Sequence, residues 1–375
     1  MAALRRQLIA PAAPPVPVAR PRLPTREALV PYLDRIDESR CYSNFGPLVR
    51  ELEARLAARL GGGAQVSTVA NGPLALTLAL RAAGAKPGSL CAMPAWTCVA
   101  SAHAAAQAGL TPWFLDVDAE TWMLDPGRTV EAVGAAPGEV GAIMPVSAFG
   151  RLPDLRAWRA VAEATGVPVV VDAAGAFDAL DEAPVPAVVS LHASKTVAAG
   201  EGGYVVSDDR GLVQRVRALS DFGFCGEPGA RHPALNGRLS EYAAAVALAS
   251  LDAWPAERAR FGFAAQYLRV ALALTPQIEF QPGWGARWMS SVCVVGTPAA
   301  AAPAIAARLA AAGIEARDWW GHGCHRQPAF AACPAQPLPV TDGLAVSTLG
   351  LPYFVDLDEP ASWRIVDALM DALKT

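Results

Sequence analysis

Lysine is almost missing from this chain. Of its 31 basic residues only Lys86, Lys195 and Lys374 are lysines; the other 28 are arginines. No block of basic residues stands out and the net charge is −4, which argues against a nucleic-acid or membrane-surface role. No apolar run approaches the ~18 residues that a membrane span requires. Met1 to Pro24 holds Arg5, Arg6 and several prolines but lacks the continuous apolar core of a signal peptide. Residues 1–30 therefore read as an extended arm, lying on the surface or on a second subunit. The seven cysteines (Cys41, Cys91, Cys98, Cys225, Cys293, Cys324, Cys333) are odd in number, scattered and without a CxxC pair. That pattern fits reduced thiols in a cytoplasmic protein, not a disulfide framework. GxSxG, HExxH and GxxxxGK(S/T) are also absent, so hydrolase, zincin and P-loop readings lack support.

What is present describes a folded, enzyme-like chain. Its 375 residues are 53% hydrophobic and 18% charged, enough for two domains and a sizeable core. The three lysines then become informative. Lys86 sits in an Ala-Lys-Pro-Gly turn and Lys374 is the penultimate residue, both places for a solvated side chain. Lys195 instead follows the apolar stretch Ala187-Val188-Val189 and precedes small residues. Arginine cannot lose its proton at working pH, whereas a partly desolvated lysine can, and can then form a Schiff base. The plainer alternative is a lysine that caps a helix after a strand.

Apolar residues at Leu48, Val49, Leu52, Leu56 and Leu60 predict a helix over 47–60, ended by three glycines. A strand at 65–70 turns through Asn71-Gly72-Pro73 into a helix over 74–83, which puts helix N–H groups at a strand's carboxyl end, a natural phosphate cradle. Strands are predicted at 90–94, 112–117, 140–147, 167–171, 187–191 and 203–207, with helices at 97–108 and 154–165. This alternation implies an α/β fold with a mostly parallel central sheet flanked by helices, and ligands at the strands' carboxyl ends. Asp172, Ser190 and the Asn71 turn fall at such ends, with Lys195 just after one. Beyond Gly237 come helices at 239–251 and 256–274, a strand at 286–297, a helix at 300–312, a strand at 344–352 and a closing helix at 363–373. This is a smaller C-terminal α+β domain, and the division reads as 31–254 and 255–375.

Lys195, Asp172, Ser190 and the turn at Gly72 together suit pyridoxal phosphate, which needs an amine, a carboxylate for its ring nitrogen and donors for a dianionic phosphate. At these residues the chain resembles the DegT–DnrJ–StrS sugar aminotransferases. Asn44-Phe45-Gly46-Pro47 with Glu51 and Glu53, Asn71-Gly72-Pro73-Leu74-Ala75-Leu76, Asp116-Val117-Asp118 with Thr121, Asp172-Ala173-Ala174, Ser190–Lys195 with Gly200-Glu201-Gly202-Gly203, and Asn236–Glu241 with Ala244-Ala245 match its motifs in order. The resemblance implies the type I fold of PLP-dependent transferases and pyridoxal 5'-phosphate as cofactor. It implies transfer of an amino group from glutamate or glutamine to a nucleotide-linked keto sugar. Lys195 would be the Schiff-base lysine and later the general acid/base, and Asp172 the partner of the ring nitrogen. Gly72, Pro73 and Ser190 would lie at the phosphate and Cys98 beside the ring. Asn236 would reach the phosphate of a neighbouring subunit in a homodimer with shared active sites. Deoxysugar dehydratases of this kind carry histidine in place of the lysine. A cyclitol or other cyclic ketone as acceptor, and a cofactor-binding sensor without turnover, stay open.

Three positions depart from the family pattern. Pro73 replaces a threonine and offers neither hydroxyl nor N–H. Cys98 stands where an aromatic stacks on the ring; Trp96, two residues earlier, could substitute only if the backbone differs, and is otherwise a candidate for the substrate side. Gly175 replaces the residue that contacts the ring hydroxyl. Each loss is worth about 1 kcal/mol of cofactor binding. Among further candidates, His192 fits either a place behind the lysine or a packed core histidine. Arg317 fits a ligand phosphate or carboxylate, or a surface salt bridge. His325 lies where the family has a substrate-lining histidine. His322, Cys324, His325 and Cys333 lack recognisable metal-ligand spacing, so no metal site is expected. Trp284, Trp288, Trp319 and Trp320 suit either a sugar wall or core packing.

Overall fold

The computed structural model describes residues 14–374 except 62, 228 and 274. Seven strands form its main sheet: β1 (Gln65–Val69), β2 (Leu90–Pro94), β3 (Thr111–Leu115), β4 (Val140–Ile143), β5 (Val171–Asp172), β6 (Ala187–Ser190) and β7 (Gly203–Ser207). Parallel bridges Ile143–Val169 and Val146–Asp172 join the two regular ladders into the order β3-β2-β4-β5-β6-β7-β1, in which only β7 runs antiparallel. Each apolar strand serves two cores by alternation. Val170, Val188 and Val205 face the helices Gly72–Ala82 and Val99–Gln107, whereas Val169, Val171, Val189 and Val206 face the opposite layer. The expectation of a mostly parallel sheet with both faces covered is met.

β4 and β5 are shorter than the predicted 140–147 and 167–171. Prolines explain this: Pro145 and Pro168 have no N–H to give to a ladder, and their carbonyls accept single bonds from Asp172 and Ile143, at 2.8 and 2.9 Å. A second, antiparallel sheet of order β10-β9-β8 comprises β8 (Glu279–Phe280), β9 (Cys293–Gly296) and β10 (Thr348–Leu351). The strand predicted at 286–297 begins only at Cys293, because residues 283–288 close a turn, with Arg287 N–H to Gly283 O at 2.8 Å and Gly285 N–H to Trp288 O at 3.0 Å, and Ser290 Oγ then donates to Val292 O at 2.7 Å. The strand predicted at 344–352 begins only at Thr348, because Pro339 opens a helix, Pro339–Ser347, that occupies the earlier part.

Two boundaries also move. Residues 1–13 of the predicted arm lie outside the described residues. The rest of the arm stays extended only to Thr25, which caps a helix, Arg26–Ser39, that the sequence reading missed. Val16 exchanges backbone hydrogen bonds with Gly313 and Glu315, and Tyr353 N–H donates to Val18 O, so this segment lies on its own chain's C-terminal half. The two helices predicted on either side of residue 254 are one, Glu241–Leu272, with Pro255 inside. The division drawn at 254/255 therefore cuts a continuous element. Pro255 lacks one helical hydrogen bond, but buried Trp254 and Phe261 hold the helix against Phe177 and Tyr353 on either side of it.

Candidate active site

The carboxyl edge of the main sheet gathers the residues singled out by chemistry. Gly203 pairs with both Val69 and Ser190, so the turn after β1 is pressed against the end of β6. A Cβ on Gly72 would stand 3.1 Å from Ser190 Cβ, and one on Gly203 would stand 2.9 Å from Gly72 N. Gly203 is thus required by close backbone approach, while Gly72 leaves a tight fit for the Ser190 side chain. Asn71 caps the helix Gly72–Ala82, its Oδ1 accepting from Leu74 N–H at 2.9 Å. With Leu74 N–H taken and none on Pro73, Gly72 N–H is the donor left at the helix start. Ser190 Oγ accepts from His192 N–H at 3.2 Å, which leaves its own proton free. These two donors at the positive end of a helix fit a phosphate.

The other end of the site is buried and closely braced. Asp172 closes β5, and its Oδ2 accepts from Ser101 Oγ at 2.7 Å while its Oδ1 accepts from Ala174 N–H at 3.0 Å. Ser101 in turn shares a 2.8 Å hydrogen bond with Thr97. Burial raises the Asp172 pKa; the Ser101 and Ala174 bonds and the charge of Lys195 oppose the rise. Lys195 is half-buried in a loop closed by Leu191 N–H to Gly202 O and Ala199 N–H to Leu191 O. Burial lowers its pKa, and Asp172 and then Cys98 oppose that. A buried carboxylate under-supplied with positive charge suits the protonated nitrogen of a pyridine ring. An amine whose proton is held loosely suits bond formation with an aldehyde. The residues present therefore fit pyridoxal phosphate.

The remaining predicted positions divide. Cys98 is exposed at the start of the helix Val99–Gln107, close enough for Lys195 to sense it. Trp96 does not stand in for the missing aromatic. It is buried, edge-on to Trp320 at 5.4 Å and Phe149 at 6.4 Å, locked into an aromatic cluster by the turn after β2. His192 is not a packed core histidine: it is exposed, with Nδ1 2.8 Å from Ser194 Oγ and Nε2 3.7 Å from Glu201. Arg317 forms no ion pair among the described residues; its guanidinium lies 4.8 Å over the ring of Trp319. His325 is largely enclosed, 3.4 Å from Asp342, and burial followed by the charge of Arg326 lowers its pKa. The segment around it docks beside β2 through Cys324 N–H to Ala95 O at 2.8 Å. Among the described residues no three His, Cys, Asp or Glu side chains form a group that could hold a metal ion. Trp284 and Trp320 pack in cores, against Phe280 and Phe149. Gly175 lies against the backbone of Phe149-Gly150, where a Cβ would come within 3.4 Å. Asn236 is exposed and its Oδ1 accepts from Arg238 Nε at 3.0 Å, which leaves its NH2 pointing no donor at that partner and free for another.

Sequence reasoning missed Ser101, although its place four residues after Thr97, at the start of a helix, was a usable signal. It also gave no roles to three motif carboxylates that build the frame. Asp116 accepts from Val340 N–H, Thr341 N–H and Thr341 Oγ1, capping the helix Pro339–Ser347. Glu241 accepts from Leu48 and Val49 N–H at the start of the helix Pro47–Leu60. Buried Glu53 accepts from Thr68 and pairs with Arg217 at 2.7 Å.

Residues 25–370 match the DegT/DnrJ/EryC1/StrS aminotransferase family. The chain belongs to that family. Among its DegT/DnrJ/EryC1/StrS relatives, the UDP-2-acetamido-2-deoxy-3-oxo-D-glucuronate aminotransferase of Pseudomonas aeruginosa is 32% identical over 337 residues, 87% of this chain and 90% of that one. The dTDP-4-amino-4,6-dideoxy-D-glucose transaminase of Shigella dysenteriae is 34% identical over 244 residues, 64% of this chain and 65% of that one. The crystal structure of DesI with its TDP-sugar product superposes with a TM-score of 0.87 at 33% identity, covering 96% of this chain and 94% of that one. The expected type I fold, aminotransferase class and pyridoxal 5'-phosphate dependence thus hold for this family member. No described helix is long and apolar enough to cross a membrane.

Proposed function

We propose that this aminotransferase takes an amino group from glutamate or glutamine and places it on the keto carbon of a nucleotide-linked deoxysugar. The observation that carries the reading is the convergence of half-buried Lys195 and buried Asp172 at the carboxyl ends of adjacent strands, each sensing the other's charge. The sugar assignment draws on relatives that act on UDP- and dTDP-linked sugars.

Pyridoxal 5'-phosphate, when bound, supplies the carbonyl that accepts the amine and the electron sink that makes the Cα–H bond labile. Asp172, held by Ser101 and Ala174, pairs with the ring nitrogen and keeps it protonated. Gly72 N–H and Ser190 Oγ–H hold the phosphate. Lys195 Nζ removes the proton from the donor Cα and, in the second half-reaction, delivers one to the acceptor carbon. The free NH2 of Asn236 suits a donor offered to the phosphate site of a second copy, which supports a homodimer with shared sites. The test is a visible spectrum of the loaded protein, followed by glutamate or glutamine and then a panel of nucleotide-linked keto sugars. The reading requires loss of the visible band with the donor and its return with one acceptor. A spectrum unmoved by either donor sinks it.

A further inference from the structure

A cavity of about 160 Å³ lies where the extended segment Ala19–Thr25 meets the loop that carries Lys195. It is smaller than the ~300–1,000 Å³ of pockets for whole drug-sized ligands, so it has the size of a subsite. Arg20, Arg22, Lys195 and Glu257 are its charged walls, with Thr25 and Ser291 among its hydroxyls. Glu257 and Arg22 are already committed. Arg22 lies 3.8 Å from Glu257 and 3.4 Å from Asp356, and Arg260 lies 3.0 Å from Glu257. Arg20 has no carboxylate within 4.0 Å among the described residues. Its guanidinium instead rests 5.0 Å over the ring of Phe354. The same cavity receives the start of the helix Arg26–Ser39, through Thr25 and Ala28. A guanidinium with no ion pair among the described residues, the start of a helix and Lys195 thus line one small space.

We propose that Arg20, with the start of this helix, is the subsite for the carboxylate of the amino donor, next to Lys195. A guanidinium matches a carboxylate's two oxygens in a fork, and the cavity is too small for a nucleotide. The cofactor's phosphate has its own seat at Gly72 and Ser190. The inference rests on the reading of an amino-acid donor given above. It makes Arg20 a specificity residue that the motif comparison does not mark.

Glutarate, which has the donor's carboxylates and no reactive amine, is the probe. Calorimetric titration of the cofactor-loaded protein should show Arg20→Gln weakening glutarate about 10-fold or more, on the scale of one charge-assisted hydrogen bond. Arg20→Lys should recover part of that loss. In single turnovers Arg20→Gln should raise the glutamate concentration for half-saturation while leaving the limiting rate and the amino-sugar half-reaction near wild type. Equal glutarate affinity in wild type and Arg20→Gln overturns the proposal. So does an effect confined to the amino-sugar half-reaction, which would assign the carboxylate to a sugar acid. Arg20-dependent glutarate binding in a protein whose spectrum neither glutamate nor glutamine moves would uphold the subsite and defeat the donor named above.

Discussion

The two ends of the site are built in different ways. At the ring end, Asp172 closes a central strand, is buried and is braced by Ser101, Thr97 and Ala174. At the phosphate end, a turn and a strand end touch through glycines, and two donors remain after Asn71 has taken Leu74 N–H and Pro73 has contributed none. The ring end resists change because Asp172, Ser101 and Thr97 form one hydrogen-bonded chain. The phosphate end tolerates change because its strength comes from shape and from few bonds. On the proposed reading, the chemistry sits in the core of the sheet and affinity is adjusted at its rim.

The largest expected effect lies at the ring end. Lys195→Ala removes the amine proposed to move the proton, and turnover should fall by roughly 10²–10⁴-fold, with loss of the visible band expected of a lysine-bound cofactor. Retained turnover would end the distinction between the two ends. Next is Asp172→Asn, expected to slow the reaction about 10²–10³-fold, the scale of losing one preorganised electrostatic partner. This variant also carries a pH signature. Burial raises the folded-state pKa of Asp172 above the ordinary 3.8. Between 3.8 and that raised value the native state holds a proton that the unfolded chain has lost, so apoprotein stability should fall as pH rises through the window. Thermal denaturation of apo Asp172→Asn should lack that fall. Lys195, lowered from 10.5, contributes with the opposite slope nearer its own window, where stability rises with pH.

Smaller effects belong to the rim. A Gly72→Ala side chain would meet the Ser190 side chain at 3.1 Å; stability should fall by up to the ~1–3 kcal/mol typical of overpacking, and cofactor binding should weaken as Ser190 Oγ is displaced, with the limiting rate little changed. Fluorescence titration of the cofactor measures this directly. Pro73→Thr is the mildest change and the most instructive. It restores an N–H and a hydroxyl at the helix start, and should tighten cofactor binding by about 1 kcal/mol, roughly fivefold. An unchanged dissociation constant would show that the shape of the turn, and not its donor count, sets affinity at the rim.

The sequence reveals the ring end better than the rim, and both better than the frame. Runs such as Val169-Val170-Val171 and Ala187-Val188-Val189 are legible because buried parallel strands are apolar on both faces, and they place Asp172 and Ser190 without further help. Ser101 is harder, since its role depends on where the helix Val99–Gln107 starts, and the reading placed that start at Thr97. Glu241 and Asp116 cap helices 193 and 224 residues away, and no local pattern announces so distant a partner. Trp96 would need a different backbone path to take the place of Cys98, and the turn after β2 sends its indole into the core instead. The helix Glu241–Leu272 was divided at Pro255 because proline is a local stop signal. Buried neighbours on both sides outweigh one missing hydrogen bond.

That helix has a mechanical consequence. Its 32 residues make a rod about 48 Å long. At one end Glu241 grips the backbone of Leu48 and Val49; farther along, Phe261 accepts the hydroxyl of Tyr353. No loop interrupts it to act as a pivot. Displacement of the C-terminal half must travel as bending of a single beam, most compliant where Pro255 omits a rung. The wall of that beam includes Ser250 and Glu257, on either side of the soft point and both facing the cavity beside Lys195. Flexing the beam would therefore alter the width of that cavity, coupling the stiffness of one helix to the space beside Lys195.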